Sequence, residues 1–290
     1  MRILVGKVFG IGNAVMCVPM IKALKSLGHD VDVIVGHTPD DGGAKEILEW
    51  VTNTTYAVSL EDEYDLAIMS IPFDGRWQNG VHYRAKRVID GRTRPDPSTT
   101  GLVSWQKHEV EYQMDSAREL GFVGATPSCE FMPPLWENAA LVDTLYLGLG
   151  YKKDAAGFWK VKHWGNERYA EVVSRLLERN KRLRIYTTGD ILDLKLSIQP
   201  INEIVKNERF MYVPGGMRDS FRIVERCQAY FGNDTGMMHV AASMGKPVIA
   251  FFFLENSMTK SHPWCKEWSG IWDRNVPTDE VVDMIEDKLG

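Results

Sequence analysis

The apolar positions of this chain follow two periods that take turns along its length. Ile3 to Val8 is a short run rich in branched residues, closed by the glycine-bearing turn Phe9-Gly10-Ile11-Gly12, which predicts a buried strand. From Asn13 to Leu27 the apolar residues Val15, Met16, Pro19, Met20, Ala23, Leu24 and Leu27 recur at helical spacing until Gly28. Val31 to Val35 then reads as a second strand, completing a β-α-β unit of a parallel sheet. Ala44 to Val51 is a predicted helix, and Leu66 to Ile71 a strand behind the acidic cluster Glu61 to Asp65. The pattern breaks between Pro72 and Ser104, which reads as a long irregular insertion, and helical spacing resumes from His108 to Leu120.

Prolines at positions 127, 133 and 134 mark a boundary within Thr126 to Asn138, and beyond it the alternation begins afresh. Thr144 to Leu149 is a strand, Glu167 to Arg179 a helix, Leu183 to Thr187 a strand, and Gly215 to Gln228 a turn and helix. Thr278 to Leu289 is a short amphipathic helix with Val281, Val282, Ile285 and Leu289 on one side. The fold class expected is α/β, as two Rossmann-like domains facing a central cleft. Residues 1–135 form the first, 136–275 the second, and 276–290 a C-terminal helix.

The stretch richest in chemistry is Gly232-Asn233-Asp234-Thr235-Gly236-Met237-Met238-His239, between the apolar runs Ala229 to Phe231 and Val248 to Phe252. It reads as strand, tight polar turn and short helix, so amides at the helix start face the C-terminal edge of a sheet, where anions bind. Thr235 and His239 lie four residues apart, and Gly236 and His239 three, so a hydroxyl, an imidazole and bare amides share one helix face. A diphosphate favoured by those amides is repelled by a carboxylate, which leaves Asp234 to cap the helix or to bind neutral hydroxyls. Each residue also has a plain reading: Asp234 or Thr235 an ordinary cap, His239 a satisfied buried histidine.

Composition and charge narrow the partners. With 44% apolar and 25% charged residues and a formal net charge of −5, the chain is globular and has no global attraction for nucleic acid or anionic membrane. Cys17, Cys129, Cys227 and Cys265 show no metal-ligand spacing and read as reduced thiols. No segment reaches a membrane-spanning length, and the N-terminus lacks a signal-peptide pattern, so the expectation is a cytoplasmic protein, free or peripheral to the inner face of a membrane. Arg76, Arg84, Lys86, Arg87, Arg92, Arg94 and Lys107, with Trp77, Tyr83 and Trp105 among them, give the insertion local basic and aromatic character. It is a solvated loop or a grip on an anionic acceptor, glycan or nucleic acid. Trp264, Trp268 and Trp272 recur every four residues, a stripe read as helical core or interdomain packing ahead of sugar stacking. Gly10-Ile11-Gly12 lacks the third glycine and the ribose-binding acid of a nicotinamide fingerprint.

Several separated pieces together resemble one family, the lipopolysaccharide heptosyltransferases of glycosyltransferase family nine, which have the glycosyltransferase-B arrangement. They are Ile3 to Leu24 with its Gly-Ile-Gly-Asn turn, His108 to Tyr112 running to Leu120-Gly121, and Lys162-His163-Trp164 followed by Arg168 to Val172. Thr188-Gly189-Asp190, Gly215-Gly216 and Phe231 to Phe252 complete the set. The resemblance implies a metal-independent inverting transfer of a sugar from a nucleotide-sugar donor to a hydroxyl acceptor, a glycan or lipid-linked glycan, with no cofactor. It implies donor contacts from Gly12, Lys162, Gly189, Asp234, Thr235, Gly236 and His239, and catalytic positions at Asn13, Lys162 and His239, with Lys162 neutralising the leaving diphosphate. The family's usual aspartate base after the glycine turn is Asn13 here. A neutral amide cannot take a proton, and a general base is typically worth about 10²–10⁴-fold in rate. Asp40, Asp41, Asp74, Asp90 and His108 are the available substitutes, and Asn13 itself reads as a helix cap or an acceptor ligand. Two other readings stand beside transfer to a glycan: a catalytically impaired nucleotide-sugar-binding protein on the same fold, and a glycosyltransferase of modified nucleic acid, which the net charge does not favour.

Overall fold

The computed structural model describes residues 1–8, 10–35, 42–55, 62–69, 85–90, 107–132, 141–150, 162–254 and 257–290. It divides into two compact units, Met1–Pro133 with Thr259–Trp264, and Pro134–Met258 with Cys265–Gly290.

Unit 1 is a five-stranded parallel sheet in the order β3-β2-β1-β4-β5. Its strands are β1 (Arg2–Val8), β2 (Asp30–Val35), β3 (Asn53–Thr55), β4 (Tyr64–Met69) and β5 (Ala85–Asp90). Central β1 buries Ile3, Leu4 and Val5 in succession, as a strand covered on both faces must. Helix α1 (Ile11–Ser26) is apolar nearly all round and buries Val15, Met16, Met20, Ala23 and Leu24. It lies under α3 (Glu109–Glu119), and α2 (Gly42–Leu48) joins it. The strand order reverses between β1 and β4, so the turn from β1 into α1 leaves the sheet at a topological switch point.

Strand β5 corrects the expectation of an irregular insertion from Pro72 to Ser104. Ala85 to Asp90 pairs in parallel with β4 as the sheet edge, in register from Tyr64↔Ala85 to Met69↔Asp90. An edge strand keeps charged side chains in water, so its apolar signal shrinks to Val88 and Ile89. The rest of the insertion, with Arg76, Arg84, Arg92, Arg94, Trp77, Tyr83 and Trp105, lies outside the described residues.

Unit 2 is a six-stranded parallel sheet in the order β11-β10-β9-β6-β7-β8. Its strands are β6 (Thr144–Gly148), β7 (Arg184–Thr187), β8 (Phe210–Tyr212), β9 (Ala229–Asn233), β10 (Val248–Phe251) and β11 (Trp268–Ile271). Helix α4 (Asn166–Arg179) buries Tyr169, Ala170, Val172, Val173, Leu176 and Leu177, the face its sequence spacing predicts. The C-terminal helix (Thr278–Leu289) packs Val281, Val282 and Ile285 into the same core. At roughly 1.5–3 kcal/mol per buried aliphatic side chain, these two faces supply much of what holds the unit together.

Between β7 and β8 the chain forms Ile191–Asp193 in α-helix, one π-helical turn Leu194–Ile198, and an α-helix Gln199–Val205. Strand β11 corrects the tryptophan stripe: Trp268 begins a strand, and Trp272, just past its end, is 66% exposed. A spacing of four fits one face of a strand as well as a helix, and here the strand wins through pairing with β10.

Candidate functional site

The strand order of unit 2 reverses between β6 and β9, and both strands are parallel, so their C-terminal ends form the switch point where α/β sheets take ligands. Gly148 and Gly232 face each other there in register. Gly232 has φ 152, and a Cβ on it would overlap the Gly148 carbonyl; a Cβ on Gly148 would overlap the Tyr230 phenol. Only two glycines let these strand ends approach so closely.

Directly beyond, the Asn233 side chain is fully buried and ties three elements together. Its Oδ1 accepts from Tyr169 Oη of α4 at 2.6 Å, and its Nδ2 donates to Leu149 O at 3.1 Å across the switch point. Tyr230 Oη donates to Asn233 O at 2.7 Å, which leaves the phenol oxygen to accept from Thr235 Oγ1 at 3.3 Å. The Tyr230 ring stacks on that of Tyr146, 5.8 Å away, and Tyr146 Oη shares a hydrogen bond of 2.6 Å with Thr188 Oγ1. Burial pushes the Tyr146, Tyr169 and Tyr230 phenols well above their ordinary range, so all three stay protonated donors.

Helix α8 (Gly236–Ser243) starts from this platform. Thr235 stands at its N-cap in extended backbone and makes no side-chain capping bond, and its first turn carries no acidic residue. Thr235, Gly236 and Met237 are partly exposed, whereas His239 is buried, at 4% exposure. The neighbouring helix starts differ. Asp190 caps Ile191–Asp193, accepting from Leu192 and Asp193 amides, while Asp193 accepts from the Asp190 amide. Asp219 accepts from the Gly216 amide at the head of α7 (Met217–Arg226) at 3.0 Å. Carboxylates fill those two termini, and the head of α8 is left with the positive end of its dipole.

Asp234 does not cap the helix, contrary to one sequence reading. Its carboxylate accepts from Lys162 Nζ at 2.6 Å, and its carbonyl from the same ammonium at 3.2 Å. Lys162 and Asp234 side chains are 14% and 5% exposed, so the pair is largely withdrawn from water beside the α8 amides. Of the expected donor residues of unit 2, the structure thus gathers Lys162, Asp234, Thr235, Gly236 and His239 at one strand end. Gly189 lies at the C-terminal end of β7, where Tyr212 Oη donates to its carbonyl at 3.2 Å. A Cβ there would crowd Asp193, whose Cβ would lie 2.6 Å away.

In unit 1, Gly12 and Asn13 occupy the first turn of α1, whose N-cap is Gly10 with φ 78. Asn13 is therefore not the cap; its side-chain nitrogen lies 3.6 Å from where a Gly10 Cβ would stand. Among the substitute bases, Asp40, Asp41 and Asp74 and the Asp90 side chain lie outside the described residues. His108 is buried at the N-cap of α3: Nδ1 accepts from the Val110 amide at 3.1 Å, and Nε2 faces His262 O at 2.9 Å. An Nε2 that meets a carbonyl carries the proton, so neither nitrogen offers a lone pair to a substrate. Lys86 and Arg87 pair with Asp65 and Glu119, and Lys107 with Asp115, so these three cations of the basic stretch serve the fold. Among the described residues no group of His, Cys, Asp and Glu is arranged to hold a metal, and no helix is long and apolar enough to cross a membrane.

Two parallel-sheet α/β units, each with a switch point at its strand ends, are the architecture of the glycosyltransferase-B fold. Residues 153–286 match the model of glycosyltransferase family 9 (heptosyltransferase). The fold is shared along its length with solved structures. E. coli heptosyltransferase WaaC with ADP superposes with a TM-score of 0.72 at 15% identity, covering 99% of this chain and 100% of that one. The E. coli enzyme with ADP-2-deoxy-2-fluoro heptose gives 0.71 at 16% identity, covering 99% of both chains. A family 9 glycosyl transferase from Veillonella parvula gives 0.72 at 13% identity, covering 99% and 97%. No curated protein matches the sequence.

Proposed function

We propose that the chain transfers a sugar from a nucleoside-diphosphate sugar held in unit 2 to a hydroxyl acceptor, with inversion and without calling on a metal ion. The observation that carries this reading is the Lys162–Asp234 pair at the uncapped head of α8. As the anomeric C–O bond breaks, negative charge moves onto the departing diphosphate. Lys162 and the amides at Thr235 and Gly236 are the groups placed to meet it. The Asp234 carboxylate repels phosphate but is offset by the ammonium beside it, and is suited to sugar hydroxyls. Attack by the acceptor oxygen from the opposite face forms the new C–O bond and releases the acceptor proton. The similar E. coli enzyme was solved with ADP and with an ADP-heptose analogue, which makes ADP-sugars the first donors to try.

Asn13 favours a second reading, a nucleotide-sugar-binding protein whose transfer step is impaired, since a carboxamide in the first turn of α1 accepts no proton. One experiment addresses both. Melting is followed with ADP, UDP, GDP and their sugars, then donor consumption with glycan acceptors in the presence of a chelator, for the native chain and Asn13→Asp. A ligand at 100 times its Kd should raise stability by about 2.7 kcal/mol. Transfer by the native chain in chelator supports the first reading; transfer by Asn13→Asp alone supports the second. No shift with any nucleotide or sugar nucleotide overturns both.

A further inference from the structure

The residues that follow Lys162 in the chain are anchored to the π-turn. His163 Nδ1 accepts the Gly165 amide at 3.0 Å, and its Nε2 stands 3.2 Å from Ser197 Oγ. A ring nitrogen that accepts an amide hydrogen is unprotonated, so the proton sits on Nε2 and is donated to the serine. Ser197 is fully buried within the π-turn Leu194–Ile198. Asn166 Nδ2 donates to Leu196 O, one residue earlier in the same turn, at 2.9 Å. Two side chains three residues apart thereby grip adjacent residues of the turn. The other flank is tied as well: Arg274 donates to His163 O at 3.1 Å, and Trp164 Nε1 donates to Arg274 O at 3.0 Å.

We infer that His163 is the positioning residue for Lys162, its neutral ring fixed between the Gly165 amide and the Ser197 hydroxyl so that the ammonium stands at the head of α8. The inference rests on the reading of Lys162 as the ligand of the donor's diphosphate. The π-turn has a physical reason to be where it is: the wider turn interrupts a helix and points a buried hydroxyl at the ring. Neither Ser197 nor His163 contacts phosphate on this account. Their effect runs through the place at which the lysine is held.

The test compares the native chain with Lys162→Ala, Ser197→Ala, His163→Gln, His163→Phe and the Lys162→Ala/Ser197→Ala double variant. Binding of ADP, UDP and the parent nucleosides is measured by calorimetry, and acetylation of Lys162 by acetic anhydride is followed by mass spectrometry. Loss of one such hydrogen bond should weaken diphosphate binding about five- to tenfold in Ser197→Ala and leave nucleoside binding unchanged. The loss should vanish in the Lys162→Ala background, and Lys162 should acetylate at least about threefold faster. His163→Gln, which keeps a donor near the Nε2 position, should bind more tightly than His163→Phe. An equal loss with and without Lys162, or unchanged acetylation, overturns the inference and leaves a structural role. If Lys162→Ala does not weaken binding, or the native chain binds neither nucleotide, the phosphate reading fails, while the acetylation rates still decide whether His163 holds Lys162.

Discussion

Lys162 Nζ stands 2.6 Å from Asp234 Oδ2 and joins the residue that leads into α4 to the residue that leads into α8. Lys162→Met leaves a nearly buried carboxylate without its partner and should cost about 3 kcal/mol, read as a lower urea midpoint at unchanged slope. Asp234→Asn keeps a polar partner for the ammonium and should cost about 1 kcal/mol. Equal losses in the two variants would show that the pair is not withdrawn from water.

The glycines at the switch point separate crowding from backbone preference. Gly232→Ala forces a Cβ onto the Gly148 carbonyl at φ 152 and should cost about 3 kcal/mol or more, or prevent folding. Gly245 also has positive φ, 70, but nothing lies within 4 Å of an added Cβ. Gly245→Ala should therefore cost about 1 kcal/mol, measured by the same denaturation.

Asn233 is the hub of the platform beneath α8. Tyr169→Phe leaves its Oδ1 unpaired and should cost about 1–2 kcal/mol, and Asn233→Ala about 3 kcal/mol. Because the two side chains share one bond, the double variant should fall short of the sum by about 1 kcal/mol. Additive losses would place the stabilisation elsewhere.

Stability should depend on pH through His163. Burial pushes its ring down to about 4 from an ordinary 6.5. The unfolded chain therefore binds a proton between these values that the folded chain does not. Stability is complete above about pH 6.5, falls as pH drops toward 4 and levels off below, an effect of about 3 kcal/mol. In His163→Gln that component should be missing from chemical denaturation between pH 4.5 and 7. A native chain with the same profile as the variant would contradict it.

The elements legible from the sequence are those whose burial is one-sided or complete. Ile3 to Val8, Val31 to Val35 and Val248 to Phe252 are apolar runs of strand length, and α4 repeats its apolar residues at helical spacing, so each appears within a residue or two of its expected place. Edge position hid β5, where Lys86 and Arg87 face ionic partners rather than the core. The strand, polar turn and helix from Ala229 to Ser243 were legible because Gly232 to Gly236 interrupts two apolar runs. Their supports were not. For Tyr146 and Tyr230 the one signal is a phenol inside an otherwise apolar run, which must find a partner when buried, and Tyr169 has no such mark among its charged neighbours. The grip of His163 on Ser197 joins residues 34 apart through a π-turn and has no local sequence mark.

The small excursion Thr259–Trp264 has a consequence for how such a chain can evolve. These residues belong to unit 1, where the His108 ring faces His262 at 4.4 Å and Trp264 at 4.7 Å, yet they fall between β10 and β11 in the chain. Recombination at a single point near residue 133 would thus bring in a foreign first half without the short segment that covers the start of its own α3. Homologous exchange of unit 1 calls for two coordinated crossovers, and a single one parts the His108 ring from the His262 carbonyl and the Trp264 indole that accompany it.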